Sequence, residues 1–111
     1  TFIIIMKIIN EHDVNIHIGE NAEENWNLLD MNSEYMWFHL KSFPSCHVVV
    51  ENINPSSDVI QYAASICKSH TKYRNLKNLK INYTPLKNVR KAEKVGSVCF
   101  ISNRKVNTIT I

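Results

Sequence analysis

Apolar and polar residues alternate with a period of two along several short stretches of this chain, the spacing that puts successive side chains on opposite faces of a strand. Val14-Asn15-Ile16-His17-Ile18 reads as a half-buried strand that leaves by a turn at Gly19. In the stretch that follows Tyr35, Met36, Phe38 and Leu40 fall on one face, and Trp37, His39 and Lys41 on the other. One face is expected to pack and the other to be free for recognition. Cys46 to Glu51 contains three consecutive valines, which predicts a strand buried on both sides. Only the turn-like Ser42-Phe43-Pro44-Ser45 separates the two, so they are expected to pair as antiparallel neighbours. Leu79, Ile81 and Tyr83 alternate with Lys80, Asn82 and Thr84, while Val98 to Ile101 and Val106 to Ile111 complete the strand-like segments. The opening run from Phe2 to Ile9 reads as a buried strand, being too short and too interrupted by Lys7 to span a membrane.

A period of 3.6 takes over after Asn54-Pro55. Asn suits a helix cap and Pro the first helical position, and Val59, Ile60, Ala63, Ala64, Ile66 and Cys67 form an apolar stripe, so a helix is predicted from Asn54 to about Lys72. A weaker helix is predicted from Asn21 to Met31, with Asn21 as cap, Glu23 and Glu24 in the first turn, and Trp26, Leu28 and Leu29 inward. This order predicts an α+β fold. A predominantly antiparallel sheet packs against one main helix, in a single domain over residues 1–111.

Composition adds little until charge is divided along the chain. The net charge is +3, yet residues 1–65 hold two cations against nine carboxylates (−7) and residues 66–111 hold eleven against one (+10). A basic half of this kind suits a polyanionic partner, nucleic acid or an anionic membrane surface, or else is a solvated face that keeps the protein soluble. With two glycines, no repeat and no linker, disorder and repeat architectures are excluded. Three cysteines, an odd number, and the lack of a signal-like leader predict reduced thiols, a cytoplasmic location and no membrane insertion.

Two blocks carry the candidate chemistry. Trp37 offers a face on which a base stacks or else a core anchor, and His39 and His47, brought together if their strands pair, offer contacts to phosphate or ribose or else structural hydrogen bonds. In Tyr83-Thr84-Pro85-Leu86-Lys87-Asn88-Val89-Arg90-Lys91, read as a turn-like segment stiffened by Pro85, Thr84, Lys87, Arg90 and Lys91 supply a hydroxyl and cations for phosphate oxygens. Lys7, far along the chain in the acidic half, is expected to play no part. No resident metal or cofactor is expected: Cys67 and His70 have helical spacing but no Cys-x-x-Cys motif accompanies them. Ser45 or Cys46 beside His47 makes a poor nucleophile–base pair, since adjacent strand residues point to opposite faces. No phosphate-binding glycine loop exists, and no catalytic centre is assigned.

Taken in order, Trp37-Phe38-His39, Ser45-Cys46-His47-Val48-Val49, Tyr62-Ala63-Ala64-Ser65-Ile66-Cys67-Lys68-Ser69, Tyr83 to Lys91 and Val95-Gly96-Ser97-Val98 resemble the NFACT-R domain, the RNA-binding module of the NFACT proteins. Gly19 and Asn25 also fall where that family's first strand and turn would place them. The resemblance implies binding of rRNA or tRNA on ribosomal particles, in the setting of translation or ribosome-associated quality control, without enzymatic activity. It is similar to the short standalone members, so tailing of stalled nascent chains is not expected of it alone. Docking on an acidic protein, DNA binding and a small hydrolase or nuclease stand as alternatives.

Overall fold

A computed structural model describes residues 7–111. Strands β1 (Lys7–Glu11), β2 (Val14–Gly19), β3 (Met36–Leu40), β4 (His47–Val50), β5 (Lys80–Pro85) and β8 (Asn107–Thr110) form one sheet in the order β1-β2-β4-β3-β5-β8. Every pairing in it is antiparallel. Strands β6 (Val89–Lys91) and β7 (Val98–Phe100) form a separate antiparallel pair. The two helices are α1 (Ala22–Leu28) and α2 (Ser57–Ser69). The expected α+β class, with its antiparallel sheet and main helix, is what the chain forms.

The period-two pattern works out on both faces of the sheet. Ile16, Ile18, Phe38, Leu40, Val48, Val50 and Ile81 point to one side, where Val59, Ala63, Ala64, Ile66 and Cys67 of α2 close the main core. The alanines keep the helix near the strands, as their small size requires. On the other side Trp37 and Val49 meet Leu28 of α1 and Leu86, with Val89, Val98 and Phe100 of the β6–β7 pair against them. Of the face expected to be free for recognition, Trp37 is thus the floor of a second core, while His39 is half-buried and Lys41 exposed. Val48-Val49-Val50 is buried on both sides as the valine run predicts, because each side has its own cover.

Helix α1, capped by Asn21 as expected, ends at Leu28 rather than Met31, and both ends of α2 and two further segments also differ from the sequence reading. Helix α2 starts later than Asn54, because the Ser56 hydroxyl caps it by accepting from Val59 N (3.3 Å), while Asn54 N is held in a turn by the Asn52 side chain (3.0 Å). It ends before Lys72, where the hydroxyls of Ser69 and Thr71 donate to the carbonyls of Ile66 and Lys68. Of the opening run, Phe2 to Met6 lie outside the described residues; Lys7 and Ile8 are exposed on the edge strand β1 rather than buried. The stretch from Tyr83 to Lys91 is no single turn: it is the end of β5, a 3-10 turn over Leu86–Asn88, and β6.

A cleft lined by two histidines

The register of β3 on β4 runs Met36–Val50, Trp37–Val49, Phe38–Val48, and its continuation sets His39 across from His47. Their rings lie 5.1 Å apart, edge to face at 88°. The sequence reading brought them together on the condition of pairing, and pairing occurs. His39 is stacked on Trp37 at 5.6 Å, nearly parallel, and His47 meets the same indole edge-on at 5.3 Å.

Hydrogen bonds fix which nitrogen of each ring carries a proton. An indole N–H can only donate, so the 3.1 Å contact from Trp37 Nε1 makes His47 Nδ1 an acceptor. A carbonyl can only accept, so the 2.6 Å contact of His39 Nδ1 with Leu40 O makes that nitrogen a donor. Burial, with the neighbouring His39 imidazole, pushes the His47 pKa from the ordinary 6.5 down to about 3. Burial also lowers the pKa of His39, against the opposing pull of its bond to the Leu40 carbonyl. Burial thus favours the neutral form of both imidazoles, so their contacts rest on ring nitrogens rather than on charge.

The two rings line a cleft of about 1080 Å³. Its far wall is the loop Lys94–Val98, its near walls are the start of α1, the Pro44-Ser45-Cys46 approach to β4, and His70-Thr71-Lys72 after α2. Two glycines set this shape. A Cβ on Gly19 would meet Asn25 Oδ1 at 2.3 Å, the oxygen that accepts from the His47 backbone N–H at 3.1 Å. Gly96, with φ at +88°, lies so close to Ala22 that a Cβ would come within 2.9 Å. Trp26 Nε1 fastens the same loop to α1 by donating to Ser97 O (2.9 Å). Replacing Gly19 with Ala should push the Asn25 amide off His47 and cost about 1–3 kcal/mol, the range for a buried polar group losing its partner. Denaturant unfolding measures this; a loss below about 0.5 kcal/mol would mean that Asn25 does not hold the histidine strand.

The remaining residues proposed from sequence separate into buried and paired groups. Trp37 is buried, with its one polar atom spent on His47 and its ring between His39, His47 and Phe100, and Thr84 is buried with its hydroxyl bonded twice inside the protein. Thr84 donates to Lys105 O (2.9 Å) and accepts from Asn88 Nδ2 (3.0 Å), tying β5 to the last segment. Lys87 Nζ lies 3.1 Å from both carboxylate oxygens of Glu34, and Lys91 Nζ 3.2 Å from both of Asp30, above the Trp26 ring. The acidic and basic halves of the sequence thus meet in space. Arg90 is exposed with no ion-pair partner among the described residues. The same holds for Lys72 and Lys94 on the cleft rim, which the sequence reading missed although Lys94 adjoins the Val95–Val98 block. Lys7 is not remote: its Nζ donates to His70 Nε2 (3.1 Å), on the cleft's near wall.

Catalytic and metal arrangements have little to draw on. The Ser45 hydroxyl accepts from Leu40 N (3.1 Å) and donates to Cys46 O (2.9 Å), so it is occupied by its own turn. Among the described residues no three His, Cys, Asp or Glu side chains gather as a metal site, and no helix is long and apolar enough to cross a membrane.

Comparison with known proteins bears on this geometry. The chain is 28% identical over 95 residues to the Rqc2 homolog RqcH of Bacillus subtilis, covering 82% of this chain and 17% of that protein. Its fold matches the solved C-terminal part of the fibronectin/fibrinogen-binding protein of Streptococcus suis with a TM-score of 0.86 at 25% identity, over 96% of this chain and 45% of that one. The chain therefore spans less than half the length of either relative. Residues 2–101 match the family described as the NFACT protein RNA binding domain, so the ordered blocks that build the histidine strands, the alanine helix and the Gly96 loop place this chain in the NFACT RNA-binding domain family.

Proposed function

We propose that this domain binds structured RNA without chemical turnover, acting on rRNA or tRNA in ribosomal particles within translation or ribosome-associated quality control. The observation that carries the reading is the cleft itself, in a chain of an RNA-binding family: neutral, tautomer-fixed imidazoles line it, and Lys72 and Lys94, without an ion-pair partner among the described residues, stand on its rim. Arg90 lies exposed on β6, the strand that precedes the Lys94–Val98 segment of the lining, and adds a further cation. Lys87 and Lys91 serve less strongly than sequence implied, because each already shares its charge with a carboxylate. Backbone phosphates supply most of the affinity in such complexes and make it salt-dependent.

Neutralising Lys72, Lys94 and Arg90 to Gln should weaken binding to ribosomal RNA and lower the slope of log affinity against log salt by about 0.7–0.9 per lost phosphate contact. Neutralising Lys87 and Lys91 should have a smaller effect, since it also frees Glu34 and Asp30. Lys77→Gln is the control, as it lines a different cavity; Lys7 is unsuitable because it touches His70. Filter binding across a salt series, with circular dichroism on each variant, decides the matter. Unchanged affinity and slope in the folded triple variant would sink the assignment, and salt-insensitive capture of one acidic protein would favour the protein-docking alternative.

A further inference from the structure

We infer that the cleft receives an unpaired nucleobase, read on one edge by His39 as acceptor and His47 as donor. The inference rests on the RNA-binding reading above and adds the chemical group that enters the site. Each ring spends its Nδ1 inside the protein, on Leu40 O in one case and on the Trp37 indole in the other. What remains is Nε2 of both rings, and neither has a hydrogen-bond partner among the described residues. Neither is a sealed, orphaned atom, because the single buried side-chain nitrogen or oxygen without a partner among those residues is His17 Nδ1. In a neutral imidazole the two nitrogens have opposite roles. His39 Nε2 is therefore a lone-pair acceptor and His47 Nε2 an N–H donor, on two cleft-lining rings whose centroids lie 5.1 Å apart.

A donor beside an acceptor on a rigid wall matches a group that presents the reverse pair. The Watson–Crick edges of unpaired bases do so, each with a ring or exocyclic N–H next to a ring nitrogen or carbonyl oxygen. Phosphate fits poorly: it offers acceptors only, and the His39 lone pair would face it with repulsion. A base also needs apolar contact on its faces, which Ala22, Val95, Gly96 and Val98 of the same cleft lining provide. His47 is 1% exposed and cannot turn, because Asn25 holds its backbone and Trp37 its ring. The polarity of the pair is thus set before ligand arrives, which lowers the ordering cost of recognition. In a duplex these base edges are occupied by pairing. Entry is accordingly confined to loops, bulges and ends.

The test uses short single-stranded RNA oligonucleotides, the same oligonucleotides with abasic riboses, and their fully paired duplexes, titrated against the parent protein and His39→Phe. Phe keeps a ring against Trp37 and removes the Nε2 acceptor. The parent should bind the single strand about tenfold or more tightly than the abasic and duplex forms. His39→Phe should lose that preference while keeping its salt slope, and Ile16→Val, a truncation in the main core that does not line the cleft, should retain it. Equal binding of the abasic oligonucleotide by the parent would overturn the base-reading role and assign the cleft to ribose or phosphate. A preference that survives His39→Phe would also overturn it. Absence of salt-dependent RNA binding by the parent is a different result, one that removes the RNA-binding reading itself.

Discussion

Acidification from pH 6.5 towards pH 4 should destabilise this domain steeply, and the slope should flatten when His47 is replaced by Asn. Over this range the unfolded chain protonates a histidine with an ordinary pKa near 6.5, whereas the folded protein keeps His47 neutral until about pH 3. The unfolded state then binds more protons, so stability falls as pH falls through the window and is fully present above it. At full extent this difference is on the order of 5 kcal/mol, a large share of the roughly 5–15 kcal/mol that holds an ordinary domain together. His39, whose pKa is also lowered, adds in the same direction. Asn at position 47 retains an acceptor for the Trp37 indole but does not titrate. Its baseline stability will be lower, so the measurement is the change of unfolding free energy with pH, taken by urea unfolding at several pH values. Carboxylates titrate in both proteins and cancel in the comparison. Equal slopes between pH 6.5 and 4 would show that His47 protonates without cost and that its burial is not what keeps it neutral.

Trp37→Ala should cost about 3–5 kcal/mol, enough to unfold the domain or leave it marginal at 37 °C. The indole is the largest of the fully buried side chains, it touches Phe100 edge-on at 5.6 Å, and its N–H is the partner of His47 Nδ1. Trp37→Phe fills much of the space but orphans that nitrogen, so a smaller loss of about 1–3 kcal/mol is expected. Thermal melts followed by circular dichroism distinguish this from the stacking role open to a Trp on a strand face. A stacking platform would lose RNA affinity and keep its melting temperature. If Trp37→Ala melts within a few degrees of the parent and only RNA binding suffers, the second core does not depend on this residue.

How much of the site could be read from residue order differs from part to part. The alternation around Trp37-Phe38-His39 located β3 and its two faces, because the strand period is a local property of the backbone. It could not say that β6, β7 and α1 would fold over the Trp37 face. The cover consists of short segments such as Val89-Arg90-Lys91, three residues whose strand character comes from pairing with Val98–Phe100 and leaves little local trace. The Asn54-Pro55 cap signal was sound chemistry in competition with Ser56, two residues on, whose hydroxyl reached the helix first.

By itself the sequence determined the α+β class, the antiparallel pairing of β3 with β4, the helix that covers the main core and the family. Each of these follows from short-range periodicity or from ordered blocks of residues. Tertiary structure alone decided what is available to a ligand. It buried Trp37 and Thr84, set Glu34 and Asp30 against Lys87 and Lys91, brought Lys7 to His70, and turned one nitrogen of each cleft histidine inward. Apart from the His39 bond to its neighbour Leu40, these contacts join residues 10 to 63 positions apart, and which distant groups meet is fixed by strand register and by the packing of covering segments, quantities that no local window of sequence contains.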